Sequence, residues 1–164
     1  MLFHKVCLIG SFGVGKTSLV RRFVSSIYDD RYLTTVGVKI DKKVMQVGGK
    51  DLTLVLWDLA GEDDYASLSM NHLRGMSGYL LVADGCRRNT LDVAKRLQDE
   101  VAARHPDLPF LLLVNKSDLR PDWEIADSDL DAVRQSGWTV METSARSGDC
   151  VEQAFAHLAA GLLG

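Results

Sequence analysis

Apolar and polar residues alternate along this chain in two kinds of block. Val6, Cys7, Leu8 and Ile9 form a short continuous apolar run, the pattern of a strand buried on both faces. Residues 79–83 and 110–114 repeat that pattern. Other segments return an apolar residue every three to four positions, which is helical spacing. Leu19, Val20 and Phe23 mark such a face in residues 17–26. Leu91, Ala94, Leu97 and Val101 mark a second, capped by Asn89 or Thr90 and ending near His105. Leu130 and Val133 mark a short third, capped by Asp127 or Ser128 and closed by Gly137. Val151, Ala154, Phe155, Leu158 and Leu162 line the last. Residues 38–47 and 52–57 read as two strands joined at Gly48-Gly49, an antiparallel pair at one edge of a sheet. Residues 138–141 read as the final strand, and residues 27–37 and 58–75 as two polar loops. Alternation of strand and helix predicts an α/β fold in one domain over residues 1–164. The expected sheet is six-stranded and mostly parallel, with one antiparallel edge strand and helices on both faces. Ligands then belong beyond the C-terminal ends of the strands.

The candidate chemistry falls at those ends. Residues 10–17, Gly-Ser-Phe-Gly-Val-Gly-Lys-Thr, match G-x-x-x-x-G-K-[ST] between a strand and a helix. Glycines let successive backbone N–H groups curl inward around one anion. Lys16 sets a positive charge at the β and γ phosphates, Thr17 offers a hard oxygen to Mg²⁺, and the helix N-terminus adds its dipole. Asp58-Leu59-Ala60-Gly61 follows the hairpin's second strand. A carboxylate there suits the same metal, and Gly61 lets its N–H approach the γ-phosphate. Asn115-Lys116-Ser117-Asp118 follows the run at 110–114. An ionised Asp118 only accepts hydrogen bonds, and guanine presents two adjacent donors where adenine presents an acceptor and a C–H. A carboxylate in that place selects guanine. Asn115 would tie this loop to the phosphate loop, and the Lys116 stem would cover one face of the base. Ser144-Ala145-Arg146, after the last strand, would support the base through the Ala145 N–H.

Charge and composition narrow the partners. Across 164 residues the net charge is −3, which argues against nucleic acid as a partner. The three cysteines, Cys7, Cys86 and Cys150, lack metal-ligand spacing and read as buried thiols of a reducing compartment. No apolar run approaches the ~18 residues that span a bilayer. Residue 2 is Leu and no C-terminal lipidation cysteine is present. A cytoplasmic protein is expected, with membrane association not evident unless a lipidated tail lies outside this sequence. His4, His72, His105 and His157 do not cluster along the chain, and Trp123 reads as a packing residue of an exposed loop.

With these motifs in this order, the chain resembles the Ras superfamily of small GTPases, a P-loop NTPase fold, over nearly its whole length. The Rab branch is nearest: Thr35-Val36-Gly37 looks like its first switch, Trp57-Asp58-Leu59-Ala60-Gly61 is similar to W-D-T-A-G, and Leu73-Arg74-Gly75 resembles the close of its second switch. The resemblance implies a switch that binds GTP or GDP with Mg²⁺ and hydrolyses GTP slowly. It implies effectors, exchange factors and GTPase-activating proteins that act through the two switches. The implied nucleotide contacts are Gly13, Val14, Gly15, Lys16, Thr17, Ser18, Tyr28, Thr35, Gly61, Asn115, Lys116, Asp118, Ser144, Ala145 and Arg146. The implied metal ligands are Thr17, Thr35 and Asp58, with Thr34 a neighbouring competitor for the role of Thr35. Lys16, Gly61 and Glu62 would carry catalysis, and Tyr32 would close over the phosphates.

Two positions depart from the family. Glu62 stands where the family usually has Gln. An ionised Glu cannot donate to the phosphate, and a like charge ~5 Å away costs about 3 kcal/mol at an effective dielectric of about 20. Slow hydrolysis is expected, although a carboxylate is also the stronger base. Phe12 stands where the family favours a small residue. Its ring either crowds the γ-phosphate pocket and an incoming arginine finger or folds outward and alters nothing. Arg31 is a candidate arginine in cis against the plainer reading of a solvated charge, and Asp63 and Asp64 read as a solvated acidic run. Arg146 replaces the usual Lys with little expected consequence. Two other classes stay open: a guanine-nucleotide-binding module with negligible turnover, and a P-loop ATPase or kinase, against which residues 115–118 speak.

Overall fold

The structure is a computed structural model that describes residues 2–25, 38–59 and 70–163. Six strands form one sheet: β1 (Leu2–Gly10), β2 (Val38–Val47), β3 (Lys50–Leu59), β4 (Gly78–Asp84), β5 (Phe110–Asn115) and β6 (Val140–Thr143). Their order is β2-β3-β1-β4-β5-β6. Every pairing is parallel except β2 with β3, the edge hairpin. Gly48 and Gly49 make its two-residue turn, and both hold a positive φ that a side chain would resist.

Period-two alternation sends the apolar residues of the strands to opposite faces. Val6 and Leu8 of β1, Leu54 and Leu56 of β3, Leu80 and Val82 of β4, and Leu111 and Leu113 of β5 share one core. It is closed by α1 (Lys16–Ser25) and α4 (Val151–Leu163). Phe23 and Phe155 stack across those helices with ring centroids 4.0 Å apart. Cys7, Ile9, Tyr79, Leu81, Leu112 and Val114 face the other core, closed by α2 (Asn89–Arg104) and α3 (Asp127–Gln135). The central strands are thus buried twice, which explains their unbroken apolar runs. β2 carries exposed Ile40 and Val44 because the sheet ends there.

Several local expectations shift. The last strand begins at Val140, two residues later than its apolar pattern suggests. The Trp138 N–H closes α3 by donating to Val133 O, beside a Gly137 N–H to Arg134 O bond. Its ring meets Phe110 edge-on. Neither Asn89 nor Thr90 caps α2. The flanking residue is Arg88, and Thr90 Oγ1 instead donates to Arg87 O and accepts from Asp84 N. Likewise Ala126, not Asp127 or Ser128, precedes α3, and the Asp129 carboxylate reaches back to the Ala126 N–H at 2.9 Å. Only Cys7 is a buried thiol; Cys86 and Cys150 are half-buried, and Cys150 precedes α4 rather than lying in it. Burial pushes Cys7 up to about 12. Burial first, and then nearby carboxylates, raise the other two, so all three thiols stay protonated at neutral pH. Among the described residues no helix is long and apolar enough to cross a membrane.

Candidate functional site

The strand order reverses at β1, so the loop after it opens at the sheet's switch point. Gly15 in that loop holds φ +103°, and a Cβ there would stand 2.3 Å from Asn115 Nδ2. Only glycine allows both that backbone and that approach. Lys16 opens α1 and is nearly buried. Its ammonium folds back over the loop and donates to Gly10 O and Ser11 O, each at 3.2 Å. Gly13 also holds a positive φ, and Val14 anchors the loop in the core. Thr17 Oγ1, one residue on, donates to Asp58 Oδ2 at 2.6 Å. Asp58 itself is fully buried near the end of β3. Two oxygen groups 41 residues apart in sequence therefore meet at one point.

A second polar row crosses the sheet beside the first. Register places Asp84 of β4 opposite Asn115 of β5, and Asn115 opposite Thr143 of β6. All three are buried polar residues, and each is satisfied by its neighbours. Asn115 joins three segments. Its Nδ2 donates to Val14 O at 3.1 Å, while its Oδ1 accepts from the Ala145 N–H at 3.3 Å and from Thr143 Oγ1 at 3.4 Å. The tie between Asn115 and the phosphate loop is as the sequence suggests. The Ala145 N–H, expected to face a base, is turned to Asn115 instead. Ser144 Oγ donates to Asp118 Oδ1 at 2.8 Å, aligning that carboxylate. Gly15, Ser18, Asn115, Lys116, Asp118, Leu119, Ala145 and Arg146 line one cavity of about 220 Å³.

Sequence reasoning missed two residues here. Asp84, 1% exposed, accepts from Lys116 Nζ at 2.6 Å and from Arg87 Nε at 3.2 Å. The first contact anchors the Lys116 stem along the cavity wall. Arg87 Nη2 also donates to Phe12 O at 2.7 Å, bracing the phosphate loop from the turn that precedes α2. A carboxylate ending an apolar strand was the available signal for Asp84, the same one that marks Asp58. Nothing local marks Arg87. The Phe12 side chain is 50% exposed. Tyr28, Arg31, Tyr32, Thr34, Thr35, Gly61, Glu62, Asp63 and Asp64 lie outside the described residues.

A mostly parallel six-stranded sheet with a phosphate loop at its switch point and a carboxylate-bearing loop two strands away is the architecture of a Ras-like G domain. The sequence profile of the Ras family matches residues 5–163, and the chain belongs to that family. Ras-related protein Rab-4B of Rattus norvegicus and of Homo sapiens are each 34% identical to it over 161 residues. The match covers 97% of this chain and 76% of each relative, and the Rab-4B of Mus musculus matches equally. The chain is Rab-like, and GTP binding with GTPase switching comes to it as the trait of its family.

Proposed function

We propose that the cavity at the ends of β1, β5 and β6 holds the base of GTP or GDP. The phosphate loop grips the phosphates, and the occupant's γ-phosphate sets the state of the two polar loops expected from the sequence at residues 27–37 and 58–75. Asn115 carries this reading, because one side chain links the phosphate loop, the Asp118 loop and residues 143–145. A ligand with a triphosphate at one end and a purine at the other spans the same arrangement.

The roles follow from chemistry. Lys16, already desolvated, places its ammonium among the loop carbonyls, where it neutralises β and γ phosphate charge. Asp118, aligned by Ser144, accepts the two guanine donors. Lys116, anchored on Asp84, holds its stem against the base. Thr17 and Asp58 are a fitting donor set for Mg²⁺, hard oxygens from two loops. Bound there with Thr35, the ion would neutralise charge between the β and γ phosphates. Hydrolysis in this class is positioning and charge stabilisation without a covalent intermediate. Glu62 supplies no donor to the phosphate, so intrinsic turnover is slow, and the Phe12 ring obstructs an arginine finger arriving in trans. Loss of the γ-phosphate releases Thr35 and Gly61, and effectors, exchange factors and activating proteins read the result.

Phosphate release in single-turnover assays tests this. The wild type should hydrolyse GTP slowly, and Glu62→Gln should hydrolyse it faster. A fast wild type slowed by that change contradicts the role given to Glu62. No release at all with excess GTP would leave a guanine-nucleotide-binding module in place of a GTPase. Phe12→Gly should raise turnover stimulated by an activating protein; unchanged stimulation removes Phe12 from the account.

A further inference from the structure

Trp123 belongs to none of the nucleotide motifs, yet its ring is built into the back of the base-reading loop. It follows the 3-10 turn Ser117–Asp122, and its indole Nε1–H donates to Lys116 O at 2.8 Å. Lys116 holds φ +76° in the left-handed region, a conformation that a non-glycine residue adopts only against its preference. That residue turns the chain from the end of β5 toward Asp118. The carbonyl of this strained residue between Asn115 and Asp118 thus accepts two donors, the Leu119 N–H of the turn itself at 2.9 Å and the indole N–H from outside it.

The ring's other contacts hold it in that place. A Cβ on Gly85 would come 2.0 Å from indole Cε2, so glycine at 85 is what admits the ring. Gly85 is itself fixed: its N–H donates to Asn115 O at 3.1 Å, and its carbonyl accepts from the Glu124 and Ile125 N–H groups. The Arg120 guanidinium lies over the indole, 4.5 Å from the centroid. The same guanidinium donates to Glu142 of β6 at 2.9 Å and to Asp127 at the start of α3. One wedge thus joins the ends of β4, β5, β6 and α3 behind Lys116.

We infer that Trp123 is a positioning residue for base recognition. It holds residues 116–118 in the shape that aims Asp118 at the purine, and so sets guanine selectivity and the rate of nucleotide release without touching the nucleotide. This rests on the guanine reading of Asp118 given above. Losing the indole N–H leaves the Lys116 carbonyl with the Leu119 N–H alone, at 2.9 Å within the same turn, so the turn loses its one tie to the Trp123 ring and samples other conformations more often. Asp118 then meets the base in its bidentate pose less often. A residue that merely packs would change stability and leave base discrimination alone.

Trp123→Phe keeps an aromatic ring and removes the donor. Binding and release of GDP and of inosine diphosphate, which lacks only the N2 amine, are measured with Mg²⁺ beside the melting temperature. The variant should release GDP about fivefold faster or more, as expected for one lost hydrogen bond. Its preference for GDP over inosine diphosphate should fall by a similar factor. A lowered melting temperature with wild-type preference and release rate overturns the inference. In the wild type, where folding is not at issue, hydrogen exchange of the Trp123 indole N–H should slow when GDP is added; exchange indifferent to GDP also overturns it. A wild type that fails to distinguish GDP from ADP defeats the guanine reading and the inference together. A selective wild type with an unchanged Trp123→Phe defeats the inference alone.

Discussion

Gly15 and Lys116 are both left-handed residues just beyond the ends of parallel strands, one after β1 and one after β5. Gly15 takes its φ of +103° freely, having no Cβ to strain. Lys116 takes φ +76° against its preference and is held there from outside. Its Nζ is tied to Asp84, and its carbonyl to the Trp123 indole as well as to the Leu119 N–H of its own turn. The phosphate loop is therefore a local object, in which glycine spacing, a folded-back lysine and a helix start within eight residues do most of the work. The base-reading loop is assembled from distant parts: Asp84, Trp123 and Ser144 each come from another segment. Failure of the first should weaken binding of any nucleotide, whereas failure of the second should blur which one is bound.

Substitutions sharpen that contrast. Lys16→Ala removes the phosphate loop's ammonium, and affinity for GDP should fall about 100-fold, the worth of a strong charge-assisted contact. Titration with a fluorescent GDP analogue reads this, with the GDP-to-ADP ratio little changed. Asp118→Ala should act in the opposite sense, lowering the GDP-to-ADP ratio by roughly 100-fold while ADP affinity stays within about threefold. If Lys16→Ala changed the ratio more than Asp118→Ala did, the division between the two loops would be wrong. Arg87→Ala frees Phe12 O from a guanidinium that is 42% exposed, so solvent screening limits the loss. Nucleotide release should quicken only about threefold, for an exposed contact of well under about 1 kcal/mol.

The smallest effect lies away from the nucleotide. The hydrogen bonds from the Arg88 guanidinium and then the Ala126 N–H hold the Asp129 carboxyl at about 2, below its ordinary 3.8. A lowered carboxyl stabilises the fold above about pH 4 and loses that contribution as pH falls through about 2. Asp129→Asn should lower the melting temperature slightly at pH 7, because Arg88 is 55% exposed. The gap from wild type should close as the pH approaches 2. A gap independent of pH would mean that the ion pair with Arg88 contributes nothing.

Legibility in the sequence followed the same divide. The phosphate loop, the Asp58 and Asn115–Asp118 segments, the edge hairpin and the doubly buried strands were readable, because each is written in local spacing or in an unbroken apolar run. The start of β6 was misplaced because Trp138 looks like a strand residue but spends its N–H closing α3. The caps of α2 and α3 were misread because Thr90 serves the Asp84 turn, and because Asp129 reaches back from inside its helix. Asp84 carried the signal of a carboxylate ending an apolar strand, whereas Arg87 and Trp123 act through partners brought near only by the fold, and no spacing rule reaches those two. Glu62, Tyr28 and Thr35 rest on sequence reasoning alone.

The central claim is that the ends of β1 and β5 recognise one guanine nucleotide together. Displacement of a fluorescent GDP analogue from the wild-type chain by GDP and by ADP, with Mg²⁺ present, tests it most directly. GDP should displace the probe at a concentration at least about 100-fold lower than ADP, since a carboxylate that pairs with two guanine donors and meets none on adenine discriminates that strongly. Equal displacement by the two diphosphates would contradict the claim.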